Sequence, residues 1–168
     1  MHYQSYEQFR VLSLDFLSPD ICDKIILEND NNYELKEQEQ YRLVNIKSID
    51  INEVPNLANA LFSANNYFKL DLYQNMSECF FAKYEEGMHY QQLHMDCIAG
   101  ESQRKLTFTL MLNDEYNGGE LKLLQGEKIE TKKGKLNVFP SFLPHCVTPV
   151  TKGTRYVIFG WFYGPNFR

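Results

Sequence analysis

The chain has no two cysteines close enough to make a C-x-x-C motif, since Cys22, Cys79, Cys97 and Cys146 are widely spaced. That excludes a zinc ribbon or a thioredoxin-like redox motif, and the spacing outlines no disulfide framework. Reduced thiols in a cytoplasmic protein are the expectation. The opening Met1-His2-Tyr3-Gln4 lacks both the basic and the apolar stretch of a secretory leader. No apolar run approaches membrane-spanning length. Repeats, low-complexity tracts and Pro/Gly-rich linkers are missing too. Basic charge is scarce, and a net charge of −5 argues against a nucleic-acid partner, which is usually held by an excess of Lys and Arg.

The chain is rich in apolar and aromatic residues. A length of 168 residues with 43% hydrophobic content fits one domain with one sizeable core. The 12 Phe and 11 Tyr favour β-structure. The chain changes character near residue 72. Before it, Ser18-Pro19-Asp20 reads as an N-cap with Pro at the first helical position, and Ile21, Ile25 and Ile26 follow at helical spacing. A second helix is expected from about Val54 to Leu70, with Leu57, Leu61, Phe62 and Phe68 as its apolar face. The alternation of Tyr41 to Ser48 suits a strand, and the polar Glu28 to Gln40 stretch reads as a solvated loop or a lid.

Beyond residue 72 the pattern has a period of two. Leu106 to Leu112 alternates, and so does Thr154 to Trp161. Turn signals punctuate the region at Asn117-Gly118-Gly119, Gln125-Gly126, Lys133-Gly134 and Lys152-Gly153. Such spacing predicts a β-sandwich or barrel. The expected architecture is a β-core over 72–165 supported by a helical region over 1–71, in one domain spanning 1–168.

His94-x-Asp96 is the candidate metal motif. On a strand, side chains two apart face the same way, so an imidazole and a carboxylate can meet one ion. A second His from a distant strand would complete a 2-His-1-carboxylate set with open positions, as non-haem Fe(II) oxygenases need. Of the four histidines, His2 is terminal and His89 lies an odd number of residues from His94. His145 is the natural third ligand. His-x-Asp alone recurs by chance, and the flanking residues make it specific.

Those flanks resemble the prolyl 4-hydroxylase-like branch of the Fe(II)/2-oxoglutarate-dependent oxygenases. Tyr84 to Asp96 looks like that family's Tyr-x-x-Gly…Tyr…His-x-Asp block. Leu112-Asn113 and Gly118-Gly119-Glu120-Leu121 are similar to its Leu-Asn and Gly-Gly-x-Leu turn. Phe139-Pro140 to His145, Val147, Pro149-Val150, Gly153, Arg155-Tyr156 and Trp161 match its second half. The resemblance covers roughly residues 73 to 163. It implies a double-stranded β-helix, or jelly roll, with Fe(II) held by His94, Asp96 and His145. It further implies 2-oxoglutarate and O2 as co-substrates, with ascorbate as reductant.

By the same resemblance Arg155 salt-bridges the distal carboxylate of 2-oxoglutarate, and guanidinium chemistry suits that task. Val157, Phe159 and Trp161 share its face if alternation holds, and an unpaired Arg among them would be costly. Tyr84 matches the family's pocket tyrosine. Thr107, Thr109 and Met111 share a strand face, which the resemblance sets against the co-substrate, with Leu121, Val147 and Trp161 as further walls. Some relatives carry Tyr at the Met111 position. Met cannot donate a hydrogen bond, so Thr107 or Thr109 takes over or the anchor is weaker. The gap from Tyr90 to His94 is one residue longer than the commonest pattern, which hints at a bulge and leaves no role assigned to Tyr90. Cys97 and Cys146 read as packing residues.

The implied reaction is hydroxylation of an unactivated C–H bond with release of succinate and CO2. A prolyl residue in a polypeptide is the first expectation for substrate, and a free amino acid or other small molecule the second. A non-catalytic binding module on the same fold, a cupin-like enzyme without 2-oxoglutarate and a nucleic-acid demethylase are the competing readings. The wide gap from His145 to Arg155 disfavours the last. The segments expected to select substrate, 97–105, 28–41 and the start of the second helix, carry no legible code.

Overall fold

The computed structural model describes residues 11–38, 40–74, 77–98, 103–124 and 129–166. His2, the Gln125-Gly126 turn and part of the 97–105 segment lie outside them. Strand β1 (Leu12–Asp15) leads into helix α1 (Pro19–Asn29), then β2 (Glu34–Gln38) and β3 (Arg42–Ser48). After a short 3-10 turn come α2 (Leu57–Phe68), β4 (Ser77–Tyr84), β5 (His89–His94) and β6 (Arg104–Met111). The remainder is β7 (Asn117–Gly118), β8 (Leu121–Leu123), β9 (Lys135–Pro140), β10 (His145–Val147), β11 (Val150–Lys152) and β12 (Arg155–Tyr163). One 10-stranded sheet runs β1-β9-β6-β12-β4-β3-β5-β10-β8 with β2 paired to β3, and β7 and β11 form a separate pair. The sheet is antiparallel and curls into the expected jelly roll. Among the described residues no helix is long and apolar enough to cross a membrane.

Period-two alternation divides the interior into two cores. On β6, Leu106, Phe108 and Leu110 point into the core beneath the helices, and so do Ile158 and Phe162 of β12. The α2 stripe Leu57, Leu61, Ala64 and Phe68 packs there, joined by Cys22 and Ile25 of α1. Residues of the opposite parity, including Met111 and Val157, meet Val44, Tyr84, Leu121, Phe139 and Val147 inside the jelly roll.

The region before residue 72 is not only helical support. Among the described residues it also supplies three strands, and β3 sits inside the sheet, where it pairs with both β4 and β5. The polar Glu28 to Gln40 stretch is likewise not a plain loop, because β2 pairs with β3 over five residues. Backbone hydrogen bonds hold this mostly exposed strand, so its side chains carry no apolar alternation to betray it. Helix α2 begins at Leu57 rather than near Val54. Pro55 forces the residue before it out of the helical region, and Val54 is extended at φ −102, ψ 115.

Candidate metal and co-substrate site

His94 ends β5 and His145 begins β10, and the two are direct cross-strand partners. The register between these strands shifts over Tyr90 to His94, so the expected bulge is there. Asp96 is not on the strand itself. It lies in the turn just after β5 and is held by its N–H donating to the Ser141 carbonyl at 2.9 Å. The ligand atoms of His94, Asp96 and His145 lie within 4.8 Å of one another. His94 Nε2 is 3.6 Å from Asp96 Oδ1 and His145 Nε2 is 3.5 Å from Oδ2. These gaps are too long for good hydrogen bonds and suit donors arranged around an ion.

The tautomers follow from the partners. Each Nδ1 is 2.9 Å from the carbonyl two residues earlier, Gln92 for His94 and Leu143 for His145. A carbonyl only accepts, so Nδ1 carries the proton and the Nε2 lone pair faces the cluster. Burial, and then the neighbouring His145, push the pKa of His94 down to about 4, which keeps its ring neutral at physiological pH. Thr107 Oγ1 donates to Asp96 Oδ2 at 2.6 Å and lies 3.0 Å from Ser141 Oγ, which leaves the Ser141 hydroxyl to donate to it.

Arg155 is 1% exposed. Its Nε and Nη1 have no hydrogen-bond partner, Nη2 lies 3.9 Å from the Met111 sulfur, and the guanidinium lies 4.9 Å over the Tyr84 ring. A buried cation so poorly paired costs several kcal/mol in general. Gly119 makes room for it, because a Cβ there would sit 2.9 Å from Arg155 Cδ. Burial raises the Tyr84 phenol above its usual pKa against the pull of Arg155, so it stays a hydrogen-bond donor.

The cluster and Arg155 line one cavity of about 350 Å³. Tyr84, Thr107, Thr109, Leu121, Val147 and Trp161 line it, and so do Val157 and Phe159. Met111 does not line it. It is fully buried and touches the guanidinium from the side. Thr109 Oγ1 and Trp161 Nε1 are buried without partners. Cys97 and Cys146 are half-buried free thiols and are not among the cavity-lining residues.

Three residues make contacts at the site to which no sequence motif assigned a role. Ser141 steadies Asp96 through its backbone and hydroxyl. Tyr90 stacks on His94, with ring centroids 3.8 Å apart and planes 13° apart. Arg42 lines the cavity with its guanidinium 5.0 Å over Tyr90. A signal for Arg42 was available, because it shares parity on β3 with the buried Val44 and Ile46. An Arg on an apolar strand face is the same pattern that marked Arg155.

A jelly roll that gathers two imidazoles and a carboxylate at one mouth, with a buried guanidinium alongside, defines a mononuclear non-haem metal fold with a place for an acidic ligand. Residues 79–163, just over half of the chain, match the family model of the 2OG-Fe(II) oxygenase superfamily, and the chain belongs to that family. Fe(II) and 2-oxoglutarate are the groups this membership implies. The donor set fits the metal, and the orphaned nitrogens of Arg155 fit a carboxylate.

A PKHD-type hydroxylase of Acaryochloris marina is 37% identical over 86 residues, covering 48% of this chain and 39% of the relative. The chain spans well under half the length of the curated relatives it matches. A Pseudomonas putida prolyl-4-hydroxylase structure superposes with a TM-score of 0.75 at 25% identity, covering 94% of each chain. The fold is shared with a Trichoplax adhaerens prolyl hydroxylase in complex with a hypoxia inducible factor peptide fragment, with a TM-score of 0.69 at 19% identity over 95% of this chain and 84% of that one.

Proposed function

We propose that this chain is an Fe(II)- and 2-oxoglutarate-dependent dioxygenase that hydroxylates an unactivated C–H bond of a prolyl residue in a polypeptide. The observation that carries this reading is the buried Arg155, with two unpartnered nitrogens, in the same cavity as the His94, Asp96 and His145 cluster. The likeness to a prolyl-4-hydroxylase over nearly the full chain supports the substrate class.

In this reading His94 and His145 present Nε2 to the iron and Asp96 presents a carboxylate oxygen. Bound there, Fe(II) with 2-oxoglutarate and O2 supplies the oxidising chemistry, yielding succinate and CO2 as the substrate C–H becomes C–OH. Arg155 would receive the distal carboxylate of the co-substrate on its guanidinium, whose Nε and Nη1 have no other partner. Thr109 would add a further donor. Thr107 is not available for that task, because its hydroxyl proton is committed to Asp96. Tyr84 donates from across the ladder, where it pairs with Arg155. Leu121 and Val147 wall the pocket and keep water out.

The test is iron-dependent succinate formation from 2-oxoglutarate with ascorbate and O2, alone and with proline-containing peptides and free amino acids. Stimulation by a prolyl peptide is the expected result. Stimulation by a free amino acid alone would shift the substrate to a small molecule. No turnover together with no 2-oxoglutarate binding would make the chain a non-catalytic module.

A further inference from the structure

Arg42 has no place in the metal or co-substrate set. It lies on the buried face of β3 and lines the same cavity as the metal-ligand cluster. Its Nε is buried with no hydrogen-bond partner, and its guanidinium lies 5.0 Å over the ring of Tyr90. That ring stacks on His94, so the guanidinium is held one aromatic ring away from a metal ligand. Among the described residues, Asp96 is the only carboxylate in the cavity lining, and it is engaged by Thr107 and faces the two imidazoles. Glu34 and Glu78 line the adjoining groove but are paired with Lys36 and Arg104. The other two guanidiniums of the lining are accounted for. Arg155 sits deep beside Met111 and Tyr84, and Arg104 bonds Glu78 at 2.9 Å and covers the Trp161 ring at 3.7 Å.

A second groove of about 470 Å³ opens next to the cavity, and Arg42, Arg104, Phe159 and Trp161 line both. Phe80, Phe159 and Trp161 give this groove an aromatic floor. Arg42 therefore stands between the groove and the metal-ligand cluster. A guanidinium fixed against a ring and short of an acceptor is a ready carboxylate site.

Resting on the dioxygenase reading, we propose that Arg42 is a specificity residue that binds an acidic side chain, Asp or Glu, next to the hydroxylated residue of a peptide substrate. The carboxylate comes from the peptide, and Arg155 serves the co-substrate.

The chain has a single tryptophan, Trp161, and it lines both spaces, so binding can be read without turnover. The protein is loaded with redox-inert Zn(II) and 2-oxoglutarate. Its fluorescence is then titrated with blocked pentapeptides in which Glu, Gln or Lys flanks a central proline. Wild type is expected to bind the Glu peptide on the order of tenfold more tightly than the Gln peptide, as a charge-assisted hydrogen bond allows. In Arg42→Gln this ratio falls to about one, Arg42→Lys keeps part of it, and Arg42→Glu reverses the preference toward the Lys peptide. A wild-type ratio near one, no binding of any peptide, or a full ratio kept in Arg42→Gln overturns the proposal. So does an Arg42→Gln variant that loses 2-oxoglutarate affinity tenfold in peptide-free titrations while keeping the peptide ratio, since Arg42 would then belong to the co-substrate. Failure of the dioxygenase reading looks different, with no succinate from the Fe(II) form of wild type under any condition.

Discussion

Both imidazoles are oriented by one device, a proton on Nδ1 held by the carbonyl two residues back, and the third ligand is oriented by Thr107. Asp96→Ala is expected to abolish metal binding, measured by calorimetric titration with Fe(II) under argon. Thr107→Val leaves all three ligands but frees the carboxylate to rotate, and the expected loss in metal affinity is about 10- to 100-fold. The same titration checks it, and unchanged affinity would remove Thr107 from the positioning role. Thr109→Val is expected to raise the 2-oxoglutarate requirement by about tenfold, the worth of one hydrogen bond to a charge, with little change in metal affinity. Arg155→Leu raises that requirement far more. A 2-oxoglutarate titration of succinate formation is expected to separate the two threonines, which share a strand face but differ in their partners.

At the scale of elements, the glycine turn between β7 and β8 is fixed by what passes above it. Gly119 has φ +59, and an added Cβ would press on Arg155 and Val150. Gly119→Ala is expected to cost about 1–2 kcal/mol from the left-handed backbone alone and to raise the 2-oxoglutarate requirement as the guanidinium shifts. Chemical denaturation and a co-substrate titration read the two effects. Phe108→Ala, on the helix side of β6, costs roughly 3–5 kcal/mol in the same denaturation experiment. These elements were legible because their signals are local. Alternation gave β6 and β12, Pro19 gave the start of α1, and His-x-Asp with a distant His gave the metal-ligand cluster. Strand β2 was not legible because an edge strand held by backbone bonds needs no apolar pattern. Asp96 was placed on a strand because nothing local marks the turn that Ser141 closes from across the fold. Arg42 sits in no motif, and only the strand parity it shares with the buried Val44 and Ile46 marks it.

For the whole molecule, the buried and poorly paired Arg155 means that folding carries an electrostatic cost until an anion arrives. The expected consequence is linkage between ligand and stability. 2-Oxoglutarate with a divalent metal at about 100 times its dissociation constant adds about 2.7 kcal/mol, whereas chelation of the metal removes most of that gain. Thermal unfolding with and without each ligand checks this, and a co-substrate that leaves the melting temperature unchanged would argue against Arg155 as its anchor. The division of β6 and β12 into two faces has a wider consequence. Even-numbered positions there, such as Phe108, Leu110, Ile158 and Phe162, carry the foundation beneath the helices. Odd-numbered ones, such as Thr107, Thr109, Phe159 and Trp161, line the cavity. A lineage built this way can exchange what it reacts with while its foundation stays put, because inheritance of shape and invention of use are written on alternate letters of the same two strands.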